Sequence, residues 1–304
     1  MLGRVAELHY KHGFTHQEVA DLLGLSRVQV TRMLAKARAD GIVEIHVHSD
    51  EPIFPVEQQA LAKKFGLKLA AIAPSFPDHE STLRSIGTVG ASVLKSLLKP
   101  KMTVAVGLSS TLAIIASQLK TDVEDVMFVP AIGSRPSASG GVNPHQVAEL
   151  FAEAVGGKSV HLPAPFITAT RESAKMISEE PQIEEILNQA RAASLGLFGL
   201  GGTQRGTGIV MDEFASEPDI SKLFDDGVVG DISAAFFNSK GRSVKSSISD
   251  RIIGLPLEDI MKIPNRVAFA GGPDKLESIS GALAGGIVTS LVTDQNTATR
   301  LLAL

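Results

Sequence analysis

The sequence predicts an α/β protein in which a small N-terminal helix-turn-helix domain precedes a large domain built on a parallel sheet. Three observations carry this prediction. From Phe54 onward, helical and strand patterns alternate, the signature of a mostly parallel sheet covered on both faces. Ahead of that point, three short helical patterns follow one another. Between Ser26 and Arg38 the chain carries no acid, although its formal net charge is −4. Residues 1–48 sum to +1 and leave −5 for the rest, so a polyanion would meet the head and not the body.

Composition narrows the field. A chain of 304 residues accommodates one large domain and one small one. With 44% hydrophobic and 20% charged residues it is globular and not disordered. No apolar run reaches the roughly 18 residues of a spanning helix, and "MLGRVAELHYKHG" lacks the apolar core of a signal peptide. The absence of cysteine excludes disulfides and thiolate metal sites and fits a reducing cytoplasm. With no Trp and one Tyr, base stacking on single strands is not the expected mode of action.

In the head, Leu2, Val5 and Leu8 recur at helical spacing over Leu2 to Lys11. Thr15 has the chemistry of an N-cap, and Glu18 three residues later completes a capping box. The second helix buries Val19, Ala20 and Leu23, and Gly24 supplies the left-handed turn that ends it. Leu25 plugs the corner. Ser26 caps a third helix that runs to about Ala39, with Val30, Met33, Leu34 and Ala37 as its inner stripe. Arg27, Val28, Gln29, Thr31 and Arg32 then face outward, and Lys36 extends the basic face.

Two helices joined by a tight glycine turn, the second presenting Arg, Gln and Thr, follow the helix-turn-helix plan. Arg can grip guanine, Gln can grip adenine, and Val or Thr can touch a thymine methyl in the major groove. Thr15, Ser26 and the helix N-termini can anchor phosphates. A solvated face on a helical hairpin is the plainer alternative. "GIVEIHVH" (41–48) reads as a short strand, a wing or the start of a linker. His46 and His48 share a spacing open to a metal, but a polar strand face explains them, and no metal or other cofactor is expected. The expected organisation is a DNA-binding domain over 1–48, a linker over 49–55 and a ligand-binding domain over 56–304.

In the body the alternation places strands at "LKLAAIAP", "MTVAVGL", "DVMFVPAIG", "SVHLPAP", "SLGLFGLGG", "ISAAFF", "RVAFAGG" and "IVTSLVTD", with helices between most of them. Ligands of such sheets sit at the carboxyl ends of strands. In "VGLSSTLA", Gly107 permits close approach, while Ser109, Ser110 and Thr111 offer hydroxyls and amides at a helix N-terminus, unless Ser109 is an ordinary cap. "AGGPDKLE" brings Lys275 onto the first turn of a helix after two glycines. Asp231 either accepts ligand hydroxyls or fixes a turn, and Asp294 reads as an N-cap. Two long loops look like pocket walls. One is Ala131 to Gly141, with Gly133 and Arg135. The other is Leu162 to Ser173, with Phe166 and Arg171. No Walker lysine and no GxGxxG is present, so nucleotides are not favoured.

Taken together, "THQEVADLLGLSRVQVTRMLAKARADGIVEI", "VAVGLSSTLA", "HLPAPF", "GVVGDISAAFFNSKG" and "RVAFAGGPDKLESISGALAGGIVTSLVTDQNTATRLL" resemble the SorC family of bacterial sugar-responsive transcription regulators over nearly the whole chain. The resemblance implies an effector domain similar in fold to sugar-phosphate isomerases and glucosamine-6-phosphate deaminase. It also implies a homotetramer in the cytoplasm, whose operator affinity changes when a phosphorylated sugar or polyol binds. Residues 107–111 and Lys275 would hold the phosphate, and Asp231 and the 131–141 loop the hydroxyls. The family often carries a bulky and a basic residue where Leu108, Ser109 and Ser110 stand here, which leaves a free polyol open. Any arm before the first helix is expected to be missing or very short. The alternative is a sugar-phosphate isomerase or deaminase, with Lys275 and Asp231 moving protons. A DNA reader in front of such an enzyme is hard to explain.

Overall fold

The computed structural model describes residues 1–43, 54–135, 143–203 and 216–304. The chain divides into two compact units, Met1–Glu51 and Pro52–Leu304. Residues 49–53 of the expected linker and most of the expected 41–48 strand lie outside the described residues, whereas Phe54 and Pro55, placed in the linker by the sequence reading, already cap and begin a helix. Gly41 to Val43 form a turn and no strand.

The first unit holds α1 (Leu2–Ala6), continued by a π-helical turn over Glu7–Lys11, then α2 (His16–Leu23) and α3 (Arg27–Ala39). Local chemistry sets each boundary. Thr15 and Ser26 each make a full capping box, with Glu18 and Gln29 respectively returning a side-chain oxygen to the cap backbone. Gly24 takes φ 65°, a conformation that costs a residue with a Cβ but not glycine, and it turns the chain from α2 into α3. Val5, Ala6, Val19, Ala20, Val30, Leu34 and Ala37 close a separate small core.

The second unit is a three-layer α/β sandwich. Its helices are α4 (Pro55–Phe65), α5 (His79–Leu97), α6 (Ser110–Gln118), α7 (Pro144–Val155), α8 (Arg171–Ser178), α9 (Pro181–Arg191), α10 (Glu217–Asp225), α11 (Leu257–Ile260), α12 (Leu276–Ala284) and α13 (Gln295–Ala303). The main sheet joins β1 (Leu69–Ala73), β2 (Thr103–Val106), β3 (Met127–Pro130), β4 (Lys158–Ser159), β5 (Leu195–Phe198), β8 (Asn265–Phe269) and β9 (Ser290–Asp294). These seven strands lie in the order β1-β9-β8-β5-β2-β3-β4, and every pairing is parallel. Alternate residues face opposite layers. Val104 and Val106 enter the core that α5, α6 and α7 cover. Ala105 enters the core built with α4, α9, α12 and α13.

Two expectations need correction. Of the strand read at "SVHLPAP" only Ser159 is in β4, where it pairs with the sheet edge together with Lys158. "ISAAFF" is not one strand of the main sheet. It spans the turn of an antiparallel hairpin, β6 (Val228–Ile232) and β7 (Ala235–Asn238). The two turn residues, Ser233 and Ala234, both have positive φ, 49° and 63°, as the hairpin twist demands. That conformation usually selects Gly or Asn, so a Ser–Ala pair carries no turn signal in the sequence.

Phe128 on β3 is fully buried and stacks on Phe151 of α7 with ring centres 5.6 Å apart. Phe128→Ala is expected to destabilise the large unit by about 3–5 kcal/mol, read as a lower urea midpoint by near-ultraviolet or tyrosine-independent far-ultraviolet dichroism.

Candidate functional site

On the head, α3 presents the acid-free face. Arg27, Val28 and Arg32 are exposed, Val28 at 61%. The side chains of Arg27 and Arg32 make no hydrogen bond or ion pair among the described residues. Lys36 pairs loosely with Asp40 at 3.7 Å across an exposed turn, a contact of small energy. Two expected readers have other commitments. Gln29 Oε1 accepts from the Ser26 amide at 2.8 Å, so its fork is already half engaged in capping and is not a free adenine clamp. Thr31 Oγ1 donates to the Arg27 carbonyl at 3.0 Å and contacts His16 Nδ1 at 3.0 Å. His16 did not figure in the sequence expectations. Thr15 and Ser26 use their hydroxyls as caps.

In the large unit the chain leaves β2 toward β3 on one side and leaves β5 toward β8 on the other, while β2 and β5 pair directly. The crevice beyond their carboxyl ends is therefore a topological switch point, where open α/β sheets bind ligands. Residues 107–111 follow β2 and residues 199–203 follow β5. Gly107 donates to the Leu197 carbonyl at 2.9 Å. A Cβ on Gly107 would run into Ser233 Oγ and into Phe198 at 2.7 Å, so glycine is needed here for packing. Ser233 also reaches the Leu108 amide at 3.4 Å, which brings the strained hairpin turn onto the β2 loop. Ser109 begins α6 but makes no capping bond. It is buried against Gly199, whereas Ser110 is exposed and Thr111 buried.

Asp231, Lys275 and Ser278 converge on the β5 turn. Asp231 bridges to Gly201 through backbone bonds of 2.9 and 3.1 Å, and its Oδ2 accepts from the Ala234 amide at 2.8 Å. That bond fixes the hairpin turn, the second of the two roles open from sequence. Asp231 lies within β6 and not on a strand-to-helix turn of the main sheet, because the hairpin folds back over the carboxyl edge. Burial pushes its carboxyl above the usual aspartate range, against the opposing pull of the Ala234 amide and the Lys275 charge. Lys275 Nζ donates to the Leu200 carbonyl at 2.8 Å, and the buried Ser278 hydroxyl donates to the Gly201 carbonyl at 2.7 Å.

The 131–135 segment runs beside this edge, since Ala131 donates to Val106 at 2.8 Å and Gly133 to Ile253 at 2.8 Å. Arg135 is only 5% exposed. Residues 136–142 of the same loop lie outside the described set. Phe166 is fully buried in a cluster with Leu108, Ile132, Ala234 and Phe236. It supports the loops from inside the core and does not line their surface, because an aromatic ring at the meeting of four apolar segments is drawn inward. Arg171 pairs with Asp250 at 3.7 Å on the exposed surface. Asp294 caps α13 as expected. Burial would raise its pKa, but hydrogen bonds from Thr297, Ser75 and Gly272 outweigh that and hold it below the usual range. Sequence reasoning missed Ser233, Ser278 and the edge-on pair His145–His161, whose ring centres are 4.7 Å apart. Each depends on a long-range contact. Among the described residues no group of three metal-ligating side chains occurs, and His46 and His48 lie outside them. No described helix is long and apolar enough to cross a membrane.

Comparison with known proteins agrees with this fold. The sugar-binding domain family matches residues 55–303, and a Crp-like helix-turn-helix domain family matches residues 3–63. The transcriptional regulator LsrR of Escherichia coli K12 is 31% identical over 99% of this chain and 94% of its own. LsrR of an Enterobacter species is 28% identical over 100% and 93%. The full-length sorbitol operon regulator SorC of Klebsiella pneumoniae superposes with a TM-score of 0.78 at 25% identity, covering 99% of this chain and 97% of that one.

Asp231 yields a prediction with a defined sign. A carboxyl whose folded pKa is raised favours its neutral form in the fold, so stability falls as pH rises above the ordinary aspartate value near 3.8. Asp231→Asn is expected to remove that part of the pH dependence and leave neutral-pH stability equal or higher, as melting temperatures from pH 4 to 8 would show.

Proposed function

As the chain belongs to the SorC family of sugar-binding transcriptional regulators, we propose that it controls a carbohydrate or polyol catabolic operon through a phosphorylated effector held at the β2–β5 switch point. The observation that carries this is the convergence of the β2, β5 and β8 loops, with Lys275 and the N-terminus of α6 at one edge of the sheet. A cation and helix amides without a side-chain cap suit a phosphate, and Gly133, Arg135 and the Asp231 oxygen not engaged by Ala234 supply the polar side for hydroxyls. Residues 1–48 act as the reader, 49–55 as the linker and 56–304 as the effector domain.

Arg27, Val28, Thr31 and Arg32 read base edges, with Gln29 contributing only its amide nitrogen. Thr15, Ser26 and Lys36 lie against phosphates. One small head buries too little surface for tight specific binding, so at least two heads act on paired half-sites. A homo-oligomer, with the tetramer of the family as the expected form, supplies them. The effector then works by binding one arrangement of heads better than another. Such a reader works beside the chromosome, in the cytoplasm.

The chain acts by binding and not by catalysis. Asp231 and Lys275, the proton-moving candidates of an isomerase or deaminase, are each held by a backbone partner, and the relatives are named as regulators. Sugar-phosphate turnover by the purified chain would overturn this reading.

Arg32→Ala is expected to weaken operator binding by about 1–3 kcal/mol and leave effector-induced thermal stabilisation intact. Lys275→Gln, which keeps a donor for Leu200, is expected to do the reverse. Gel-shift titration paired with a thermal-shift screen of free and phosphorylated sugars and polyols measures both, since a ligand at about a hundredfold above its Kd stabilises by about 2.7 kcal/mol.

A further inference from the structure

The reading face contains an imidazole that the regulator reading leaves without a task. His16 is the first residue of α2, and its Nδ1 lies 3.0 Å from Thr31 Oγ1 on α3. A threonine hydroxyl has one hydrogen, and that hydrogen goes to the Arg27 carbonyl at 3.0 Å. Thr31 therefore accepts from His16, and Nδ1 carries a hydrogen whether the ring is neutral or charged. Nε2, on the opposite side of the ring, carries a hydrogen only in the imidazolium.

The ring is also held in place. His9 is fixed by a 2.7 Å bond from its Nδ1 to the Phe14 carbonyl, which can only accept. It meets His16 edge-on with ring centres 4.8 Å apart, and Tyr10 lies at the same distance from His9. The charged neighbours leave Nε2 alone. Glu18 is engaged by Thr15 at 2.7 Å, Glu7 by Lys11 at 3.3 Å, and Asp21 by Gln17 at 2.9 Å. Arg27 and Arg32, on α3, are cations and cannot accept a proton from it. The contact with Thr31 sets His16 on the same surface as the exposed face of α3.

We infer that His16 is a further DNA-contacting residue, donating from Nε2–H to a backbone phosphate that flanks the groove α3 enters, and that it does so as the imidazolium. This rests on α3 being the reading helix. A phosphate oxygen only accepts, and neutral His16 has only a lone pair at Nε2, so contact and protonation are one event. DNA binding therefore takes up a proton at each engaged head. Affinity rises as pH falls, and the bound complex displaces about one more counterion per head.

The test uses the full chain and a labelled mixed-sequence duplex of about 30 base pairs, read by fluorescence anisotropy over a salt series at about pH 6 and about pH 8.5. The wild type is expected to bind more tightly at the lower pH, with a log-affinity against log-salt slope steeper by about one per engaged head. His16→Gln, whose amide still donates to Thr31, should match the wild type at the higher pH and lose both changes. His16→Lys, charged throughout, should bind at the higher pH as the wild type does at the lower. A merely structural role for His16 would shift affinity equally at both pH values. A wild type indifferent to pH, or a His16→Gln variant with an undiminished pH response, overturns the assignment. Arg32→Ala separates the two readings: it weakens binding at both pH values if α3 reads DNA. No change in that variant, or no duplex binding by the wild type at low salt, overturns the reading of α3 itself and His16 with it.

Discussion

The parallel pairing of β2 with β5, Val104 to Leu195 through Val106 to Leu197, is the joint on which the large unit depends. The chain departs from these two strands in opposite directions, so no crossover helix covers the gap between their carboxyl ends. Everything assigned to the effector site is arranged around that gap. The β2 loop opens into α6, the β5 turn lies beside it, and the β6–β7 hairpin leans over both through Ser233. A Cβ at Gly107 would push the hairpin away, which ties one residue of the loop to the position of the whole layer above it.

Polar groups at this edge mostly hold the protein's own backbone. Asp231, Lys275 and Ser278 each take a bond from, or give one to, the main chain of the β5 turn or the hairpin. Such a lattice preorganises a site, because a ligand meets groups whose conformational freedom is already lost. It also couples the site to the loops, since a ligand oxygen that accepts from Lys275 Nζ shares that three-donor ammonium with the Leu200 carbonyl. A buried carboxylate with a raised pKa next to a lysine concentrates electrostatic cost where a binding partner can relieve it.

The head follows a related economy. α3 must end its own orphan amides before it can read anything else. Gln29 meets that need at Ser26, and Thr31 is drawn toward His16 and Arg27. In the proposed reading, base recognition therefore falls more heavily on Arg27, Val28 and Arg32 than the residue types alone imply.

Local chemistry was legible in the sequence. Thr15 with Glu18, Ser26, Gly24 and the Asp294 cap act within a few residues of themselves, and their capping and turn roles are as read. Periodicity located most of the main-sheet strands and the long helices, because burial on both faces leaves an unbroken apolar run. The sequence alone determined a basic helix-turn-helix ahead of a parallel α/β domain, and which strand ends to inspect. Tertiary structure decided the rest. The Ser–Ala hairpin turn has no turn residues to announce it, Phe166 belongs to the core, Gln29 caps, and His16 meets Thr31 fifteen residues away. The physical reason is the same in each case: a side chain's partner across the fold is set by packing, and packing is not written in the spacing of neighbours along the chain.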